Sequence, residues 1–338
     1  MLSQTQQQKR GKKDTHAKNK KKKKSYRVRN WKEYNEALVN RGRISFWIDE
    51  KVLEQWKEDF EGKKRKPGRP KFFSDVALET ALTLQQVFHQ ALRQTEGMLN
   101  DILKKLGSVH TSPDYSTLSI RSQTLSINIR VRPIKKERLH VVVDSSGVKV
   151  YGEGEWKVRQ HGWSKRRTWK KIHIGVDEES GDILLGEVTG NDTADCEMLP
   201  PMLNQLPEEQ VIDQTSGDGA YDQKSCYDAL KKRNVSHVTI PPRKNARIWK
   251  HGNSKGERQV RDENLRQVRK VGRKKWKIES GYHRRSLVET TMFRLKTIFS
   301  DSVSARSDAN QRTQLLLRMK ALNRMTTLGM PVSYAVAG

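Results

Sequence analysis

The sequence predicts a mixed α/β chain, with helices in its first third and a five-stranded mixed sheet with helices in the remainder. Three observations support this fold class. Helical periodicity dominates up to about residue 130, a β-rich apolar run begins at residue 139, and strands then alternate with helical segments. Runs of this kind are typical of a helical region followed by an α/β domain.

The composition indicates a polyanionic partner. Among 338 residues, 67 Lys or Arg exceed 39 acidic residues, for a formal net charge of +28. No apolar run is long enough to span a bilayer and no signal peptide is evident, so we expect double-stranded DNA as the partner, no membrane, and a cytoplasmic location. The two cysteines, Cys196 and Cys226, lack metal-ligand spacing, which predicts a reducing compartment and no zinc site.

Residues 1–29 are predicted to be a disordered basic tail. They hold twelve Lys or Arg and one acid, Asp14, and such a block cannot bury apolar surface. We expect the tail to add non-specific attraction to phosphates. A nuclear address is the alternative interpretation of the lysine run at 18–24.

Residues 30–130 are predicted to form an all-α region that binds DNA. Helices are expected at 31–42 and 49–60, and a basic linker at 63–71 precedes a helix for which Ser74 is the N-cap. Within the linker, Arg69 in Gly-Arg-Pro suits insertion into an A·T minor groove. A charged linker leading to a helix is the competing interpretation.

A helix-turn-helix is predicted at the end of this region. Helical segments at 95–107 and 113–125 are joined by a turn that contains Gly107. The second helix would expose Ser116, Thr117 and Arg121 to DNA. A plain three-helix bundle has the same pattern, so both interpretations stay open.

Residues 131–338 are predicted to form the catalytic domain. The run at 139–151 is apolar, breaks at 145–147 and then alternates; a hairpin at 168–190 turns at Ser180–Gly181. A helix interrupted by Pro, a strand, a second helix and a fifth strand follow, then a basic, irregular stretch at 243–276. A helix at 282–296 and a last one, ended by Gly329, complete the domain. This order of strands and helices is that of the ribonuclease-H-like fold.

Two carboxylates follow predicted strands, where sites form in open α/β sheets. Asp144 ends an apolar run and Asp218 lies just past the fourth strand, although Asp213 or Asp222 is an alternative to Asp218. If the first and fourth strands are neighbours, Glu289 can face both residues. Three carboxylates repel one another unless cations hold them, and two Mg²⁺ ions would suit phosphoryl transfer.

A polar stripe on the 282–296 helix supplies the third carboxylate. Tyr282, Arg285, Glu289 and Lys296 lie within about 60° of one another if each residue advances the helix by about 100°. Arg and Lys suit phosphate contacts, and a Tyr hydroxyl can donate to phosphate.

The stripe, with its spacing of two, three and six intervening residues, resembles the Tyr–Arg–Glu–Lys signature of bacterial insertion-sequence transposases of the Asp-Asp-Glu class. The segments "HVVVDSSGVKVYGEGEWK", "GDGAYD" and "ALNRMTTLGMP" resemble insertion sequence family five, from about Trp31 to the C-terminus. The resemblance implies that Asp144, Asp218 and Glu289 are catalytic and bind two Mg²⁺ or Mn²⁺ ions, and that the other three stripe residues touch phosphates of the transposon end. The stripe would then be a clamp for a DNA end around one catalytic carboxylate.

The function implied is transposition: binding terminal inverted repeats, hydrolysing the DNA ends and joining each 3′-OH to target DNA. A homodimer or larger assembly is expected when two ends are held together, and a bacterial, nucleoid-associated location follows from the resemblance. Two alternatives are a ribonuclease-H-like nuclease without mobility and a domesticated, non-catalytic DNA-binding protein. Terminal repeats in the DNA that flanks the gene would distinguish transposition from both.

Overall fold

A computed structural model describes residues 25–58, 72–150, 169–250 and 259–336. The first elements in chain order are β1 (Ser25–Val28), α1 (Trp31–Asn40), α2 (Ile44–Trp47), α3 (Glu50–Glu54), α4 (Asp75–Val87), α5 (Leu92–Lys105) and α6 (Tyr115–Arg121). The middle elements are β2 (Arg138–Val150), β3 (Trp169–Asp177), β4 (Ile183–Thr189), α7 (Asp195–Leu203), β5 (Val211–Ser216), α8 (Lys224–Lys232) and β6 (His237–Thr239). The last are α9 (Val260–Val271), α10 (Arg273–Glu279), α11 (Ser286–Phe299), β7 (Ser302–Val303), α12 (Asp308–Thr327) and β8 (Ser333–Val336).

The central sheet is mixed, as the sequence predicts. Its strands lie in the order β4-β3-β2-β5-β6; β2, β3 and β4 are antiparallel neighbours, whereas β5 and β6 run parallel to β2. The β3–β4 hairpin turns at Gly181, which has a φ of +73° that glycine adopts without strain. One strand of this sheet, β7, was not predicted. β2 extends beyond β5, and β7 pairs with its free edge at Lys149 and Val150.

Helices cover both faces of the sheet because β2 is apolar on both sides. Val141 and Val143 face a cluster with α7 and α8, while Val142 faces a second cluster with α4, α5, α11 and α12. Side chains alternate across a strand, so neighbouring valines enter opposite clusters. The second cluster also contains buried residues from the N-terminal part of the chain, including Trp47 on α2 and Trp56 just after α3. The mostly helical N-terminal part therefore shares its core with the sheet, and the boundary near residue 130 remains a prediction.

Three predicted segments differ in the structure. The break predicted at 145–147 is absent, because those residues continue the pairing of β2 with β3. The helix predicted at 49–60 is only α3, capped by Asp49. The Pro-containing helix, α7, is not interrupted but continues through Pro200 and Pro201. Pro200 has no N–H to donate to the carbonyl of Cys196, four residues earlier, and the Cys226 thiol donates to that carbonyl instead, at 3.2 Å.

The stretch predicted to be irregular, 243–276, contains α9 and the start of α10, separated at Gly272 with a φ of +83°. Its high charge conceals the buried positions of α9, which include Arg261, Asp262 and Leu265. The tail prediction also differs at its end. Residues 25–28 form β1, which pairs with β8, while residues 1–24 lie outside the described part of the chain.

A buried ion-pair network attaches α9 to the turn after β5. Arg261 Nε lies 3.0 Å from Asp222 Oδ1, and Arg261 Nη1 lies 3.3 Å from Asp262 Oδ1. Asp222 also accepts the Arg243 N–H at 2.9 Å, and Asp262 accepts the Trp249 N–H at 3.0 Å. Every charge is thus paired and hydrogen-bonded, which a buried network requires. Across the described ranges, no helix is both long and apolar enough to cross a bilayer.

Arg261→Ala should destabilise the fold by about 3–5 kcal/mol, because it leaves two buried carboxylates without their cation. Chemical denaturation would measure the change in the free energy of unfolding. Arg266→Ala is the matched control on α9, since Arg266 pairs with Glu263 at the surface and its loss should cost about 0–1 kcal/mol. Equal costs for the two variants would contradict a structural role for the buried network.

Candidate active site

The parallel register of β2 and β5 brings two predicted carboxylates together. Val142 pairs with Ser216, and Asp144 and Asp218 each follow two residues later. Because parallel strands run the same way, both side chains arise beyond the same end of β5. Asp218 caps the short 3₁₀ turn Gly219–Tyr221, and its Oδ1 accepts the Ala220 N–H at 2.8 Å. That bond fixes Asp218 at the carboxyl end of the strand.

Helix α11 supplies the third carboxylate. Its buried face, with Val288, Met292 and Leu295, packs into the core and thereby fixes the rotation of the helix. Glu289 lies at the edge of this face, about 100° around the helix from Val288, with 54% of its side chain exposed. The helix therefore anchors itself on apolar residues and directs one acid towards β2.

Arg285 connects the carboxylates. Its Nη1 lies 3.0 Å from Asp144 Oδ2, and its Nη2 forms an ion pair with Glu289. Burial alone would lower the pKa of Arg285, but Asp144, Tyr282, Glu289 and Asp218 together raise it above its usual value. One guanidinium thus bridges an acid on a strand and an acid on a helix.

The pKa of Asp144 responds to the whole cluster. Burial raises this pKa above its usual value, while Arg285 and the Ser145 N–H, which donates to Oδ1 at 3.0 Å, oppose the rise. The negative charges of Asp218 and Glu289 raise it further. Asp144 therefore shares an electrostatic environment with the other two acids, as expected when like charges converge.

The remaining stripe residues flank this cluster. Lys296 donates from Nζ to Ser146 Oγ on β2 at 2.6 Å, and burial lowers its pKa. Tyr282 lies on a 3₁₀ turn, Tyr282–Arg285, so the predicted α-helical geometry is wrong for the first residues of the stripe. The Lys277 ammonium lies 4.4 Å from the Tyr282 ring centroid, which adds a cation beside the hydroxyl-bearing ring.

The alternatives to Asp218 have other partners. Asp222 belongs to the buried Arg261 network. Asp213 lies within β5, where it contacts Arg138 at 3.4 Å and His237 at 3.8 Å. The structure thus places Asp218 nearest in register to Asp144 and gives the other two aspartates separate ion pairs.

The residues predicted to contact DNA from the second helix lie on α6, and they are only partly available. Ser116 is exposed, but its hydroxyl and that of Thr117 both donate to Asp114, the N-cap of α6. Arg121 is not exposed as predicted: only 15% of its side chain is accessible, because its guanidinium binds Asp75 and the Phe73 carbonyl. Arg69 lies outside the described residues.

A second polar group on the other face of the sheet was not predicted. Asp195, at the start of α7, forms hydrogen bonds with the side chains of Lys171 and Ser145 that hold its pKa below the usual value although burial opposes them. The Lys171 ammonium lies 2.8 Å from Asp195 Oδ1. Ser145 thus contacts both acids: its side chain forms a hydrogen bond with Asp195, and its backbone N–H donates to Asp144. No sequence signal marks Asp195, because it lies 51 positions from Asp144 and only sheet pairing unites them.

The donor set fits a divalent cation. Three carboxylates offer only oxygen ligands, which Mg²⁺ and Mn²⁺ prefer. Within the described ranges, however, no three His, Cys, Asp or Glu side chains are close enough together to enclose a metal. The guanidinium of Arg285 lies between Asp144 and Glu289, so it provides the positive charge that would otherwise come from a metal. A divalent cation held by Asp144 and Glu289 would compete with Arg285 for their carboxylate oxygens.

Comparison with known families gives an independent result. Two family models, both described as "Transposase DDE domain", match residues 39–153 and residues 135–324. The second match alone covers more than half of the chain and includes all three carboxylates.

Two solved structures show a weak overall similarity. The first, "Crystal structure of the Mos1 mariner paired end complex with Mn", is 12% identical, covers 75% of this chain and 86% of its own, and gives a TM-score of 0.22. The second, "Crystal structure of a pre-cleavage Mos1 transpososome", is 11% identical, covers 81% and 84%, and gives a TM-score of 0.20. Because the identities and TM-scores are this low, the two structures add no support to the family match.

Arg285→Ala should tighten Mn²⁺ binding in the absence of DNA by roughly tenfold, because it removes a cation that competes for two carboxylates. Calorimetric titration at fixed pH would measure the affinity. Arg284→Ala is the matched control, since Arg284 pairs with Glu178 instead of the cluster and should leave the affinity unchanged. Weaker Mn²⁺ binding by Arg285→Ala would show that Arg285 supports the metal site instead of competing with it.

Proposed function

Because the chain belongs to the DDE transposase family, a class of metal-dependent enzymes that cleave and transfer DNA strands, we propose that it moves an insertion sequence. In this proposal it binds the terminal inverted repeats, cleaves the ends by two-metal hydrolysis and joins each 3′-OH to target DNA. One observation carries the proposal: Arg285 pairs with Asp144 on β2 and with Glu289 on α11, and the negative charge of Asp218, in the turn after β5, acts on both Asp144 and Arg285.

The three carboxylates are assigned to hold Mg²⁺ or Mn²⁺, two ions in each site. When bound, such ions activate water and stabilise the charge that develops on the phosphoryl oxygens. In the first step, a water oxygen bonds to phosphorus and the 3′-oxygen leaves as a hydroxyl. In the second step, that hydroxyl oxygen bonds to a target phosphorus, and the target's own 3′-oxygen leaves.

The chain's cations are assigned to position the DNA. On this proposal, Arg285 leaves Asp144 and Glu289 when DNA and cations arrive and makes a bidentate contact with a phosphate beside the scissile bond. Lys296 supplies a point charge next to β2, and the Tyr282 hydroxyl donates to a phosphate. The same side chains thus stabilise the acids before DNA binds and hold the DNA afterwards. This set matches the signature that resembles insertion sequence family five.

Recognition of the element ends is assigned to residues 30–130. Ser116, at the N-terminus of α6, is the most exposed of the three residues assigned there, and Arg69 and the basic tail are assigned as further cations for the phosphates. The hydroxyls of Ser116 and Thr117 would contact DNA only after leaving Asp114, and Arg121 only after leaving Asp75. Bringing two ends together requires two active sites, so we infer a homodimer or larger assembly on DNA.

Cleavage of a DNA duplex that carries the terminal repeat should require Mg²⁺ or Mn²⁺. Ca²⁺ should support binding without cleavage, because a larger ion with a flexible shell activates water poorly. Nicking of a labelled duplex, measured with each ion and with excess chelator, tests this. Full cleavage in chelator would rule out the metal mechanism, and failure to cut any repeat-bearing duplex would oppose the transposase proposal itself.

Glu289→Gln should reduce cleavage at least about a hundredfold, because it keeps the size of the side chain but removes a charge that holds a cation. Binding to the end should be retained or slightly tightened, since one negative charge near phosphate is lost. Nicking and gel-shift assays on one preparation would separate the two effects. As a control, Glu208→Gln, exposed in the loop before β5 at the end away from Asp218, should cleave normally. Normal cleavage by Glu289→Gln would make Glu289 a structural residue.

A further inference from the structure

Helix α11 has one exposed face, and it contains a single large apolar residue. The exposed residues are Ser286, Glu289, Thr290, Phe293 and Thr297. They are spaced by three or four residues, so they share one side of the helix. Four of the five are polar, whereas Phe293 leaves 69% of its surface accessible. An apolar ring therefore stands at the centre of the face that carries the catalytic acid.

Packing against the hydrophobic core does not explain why a Phe occupies this position. Val288, Met292 and Leu295 already anchor α11, and Phe293 projects away from them. A single exposed apolar side chain is ordinary on a protein surface, so its position decides the interpretation. Phe293 lies one helical turn after Glu289, and Lys296 follows three residues later. Its ring is therefore a solvent-exposed neighbour of Glu289 on the same side of the helix.

The surroundings of Phe293 favour a nucleic acid over an apolar partner. Arg285 and Lys296 flank this face of the helix, and the chain has a net charge of +28. If Glu289 acts at the scissile phosphate, a residue one turn away lies about 6 Å along the helix, a distance of about two nucleotide steps. Phosphates lie on the outside of DNA and offer an aromatic ring no surface to stack on, whereas the bases do.

We propose that Phe293 stacks on a nucleobase next to the scissile phosphate and thereby holds the end of the duplex in an opened form. Aromatic side chains stack on unpaired bases and can act as wedges between base pairs. The inference rests on the proposed function, because it assumes that the DNA end occupies the site. Phe293 is then a positioning residue: it sets the geometry of the DNA strand, and the carboxylates act on the phosphate.

Phe293→Ala should lower cleavage of an intact duplex end by roughly tenfold or more. Phe293→Trp should restore it, and Phe293→Leu should not. Ends that carry 2-aminopurine at each of the two positions beside the scissile phosphate report on stacking. Wild-type protein with Ca²⁺ should change the fluorescence at one position, and Phe293→Ala should not. Val211→Ala, an exposed apolar residue at the opposite end of β5, is the control and should match wild type.

A second substrate separates this proposal from the proposed function. An end with unpaired bases beside the scissile phosphate is already open, so Phe293→Ala should cut it nearly as fast as wild type does. If wild-type protein cuts the intact end and Phe293→Ala cuts it equally well, the stacking proposal fails. The transposase proposal would still stand. A loss that persists on the pre-opened end, with a weakened protein assembly in sedimentation, would assign Phe293 to contact with a second copy and overturn stacking.

Discussion

Three carboxylates can converge at one corner of this fold only if positive charge lies among them. In the structure that charge is Arg285, which contacts Asp144 on the sheet and Glu289 on α11. Without it, burial and the two neighbouring acids would raise the pKa of Asp144 further, and the carboxylate would not stay ionised as readily. The same guanidinium suits a phosphate. Arg285 therefore connects the stability of the free protein to its proposed engagement with DNA.

The rest of the fold serves to hold these groups in register. The parallel pairing of β2 with β5 sets Asp144 beside Asp218, and the apolar face of α11 sets the direction of Glu289. On the far side, the buried Arg261–Asp222 pair stabilises the turn that Asp218 begins. Each acid thus depends on a different kind of contact: strand pairing, helix packing and a buried ion pair. A change in any of these would shift one carboxylate relative to the others.

Much of this arrangement can be predicted from local patterns. Apolar runs predicted the strands of the central sheet other than β7, Ser74 predicted the start of α4, and Gly181 predicted the hairpin turn. Each of these features depends on residues that are close in sequence. The stripe spacing led to Arg285, Glu289 and Lys296. By contrast, α9 was missed because its charges obscure a buried face that only the partner Asp222 explains.

Other features depended on long-range contacts and could not be predicted. The exposure expected for Arg121 was wrong, since Asp75 engages its guanidinium from a distant helix. The link from Asp195 to Ser145 likewise joins elements that meet only in the folded sheet. The exposed ring of Phe293 follows from the rotation of α11, which is set by the core. In each case the missing information is tertiary: which side of an element is buried, and against what.

On the proposal made here, Asp144, Asp218 and Glu289 form one cation site. When no metal is bound, the Arg285 guanidinium neutralises part of its negative charge. Crystals of the protein with Mn²⁺, measured at the manganese absorption edge, would test it most directly. We expect anomalous peaks among the three carboxylates, with the Arg285 guanidinium displaced from both Asp144 and Glu289. Peaks elsewhere, or Mn²⁺ bound with the Arg285 ion pairs intact, would contradict the account.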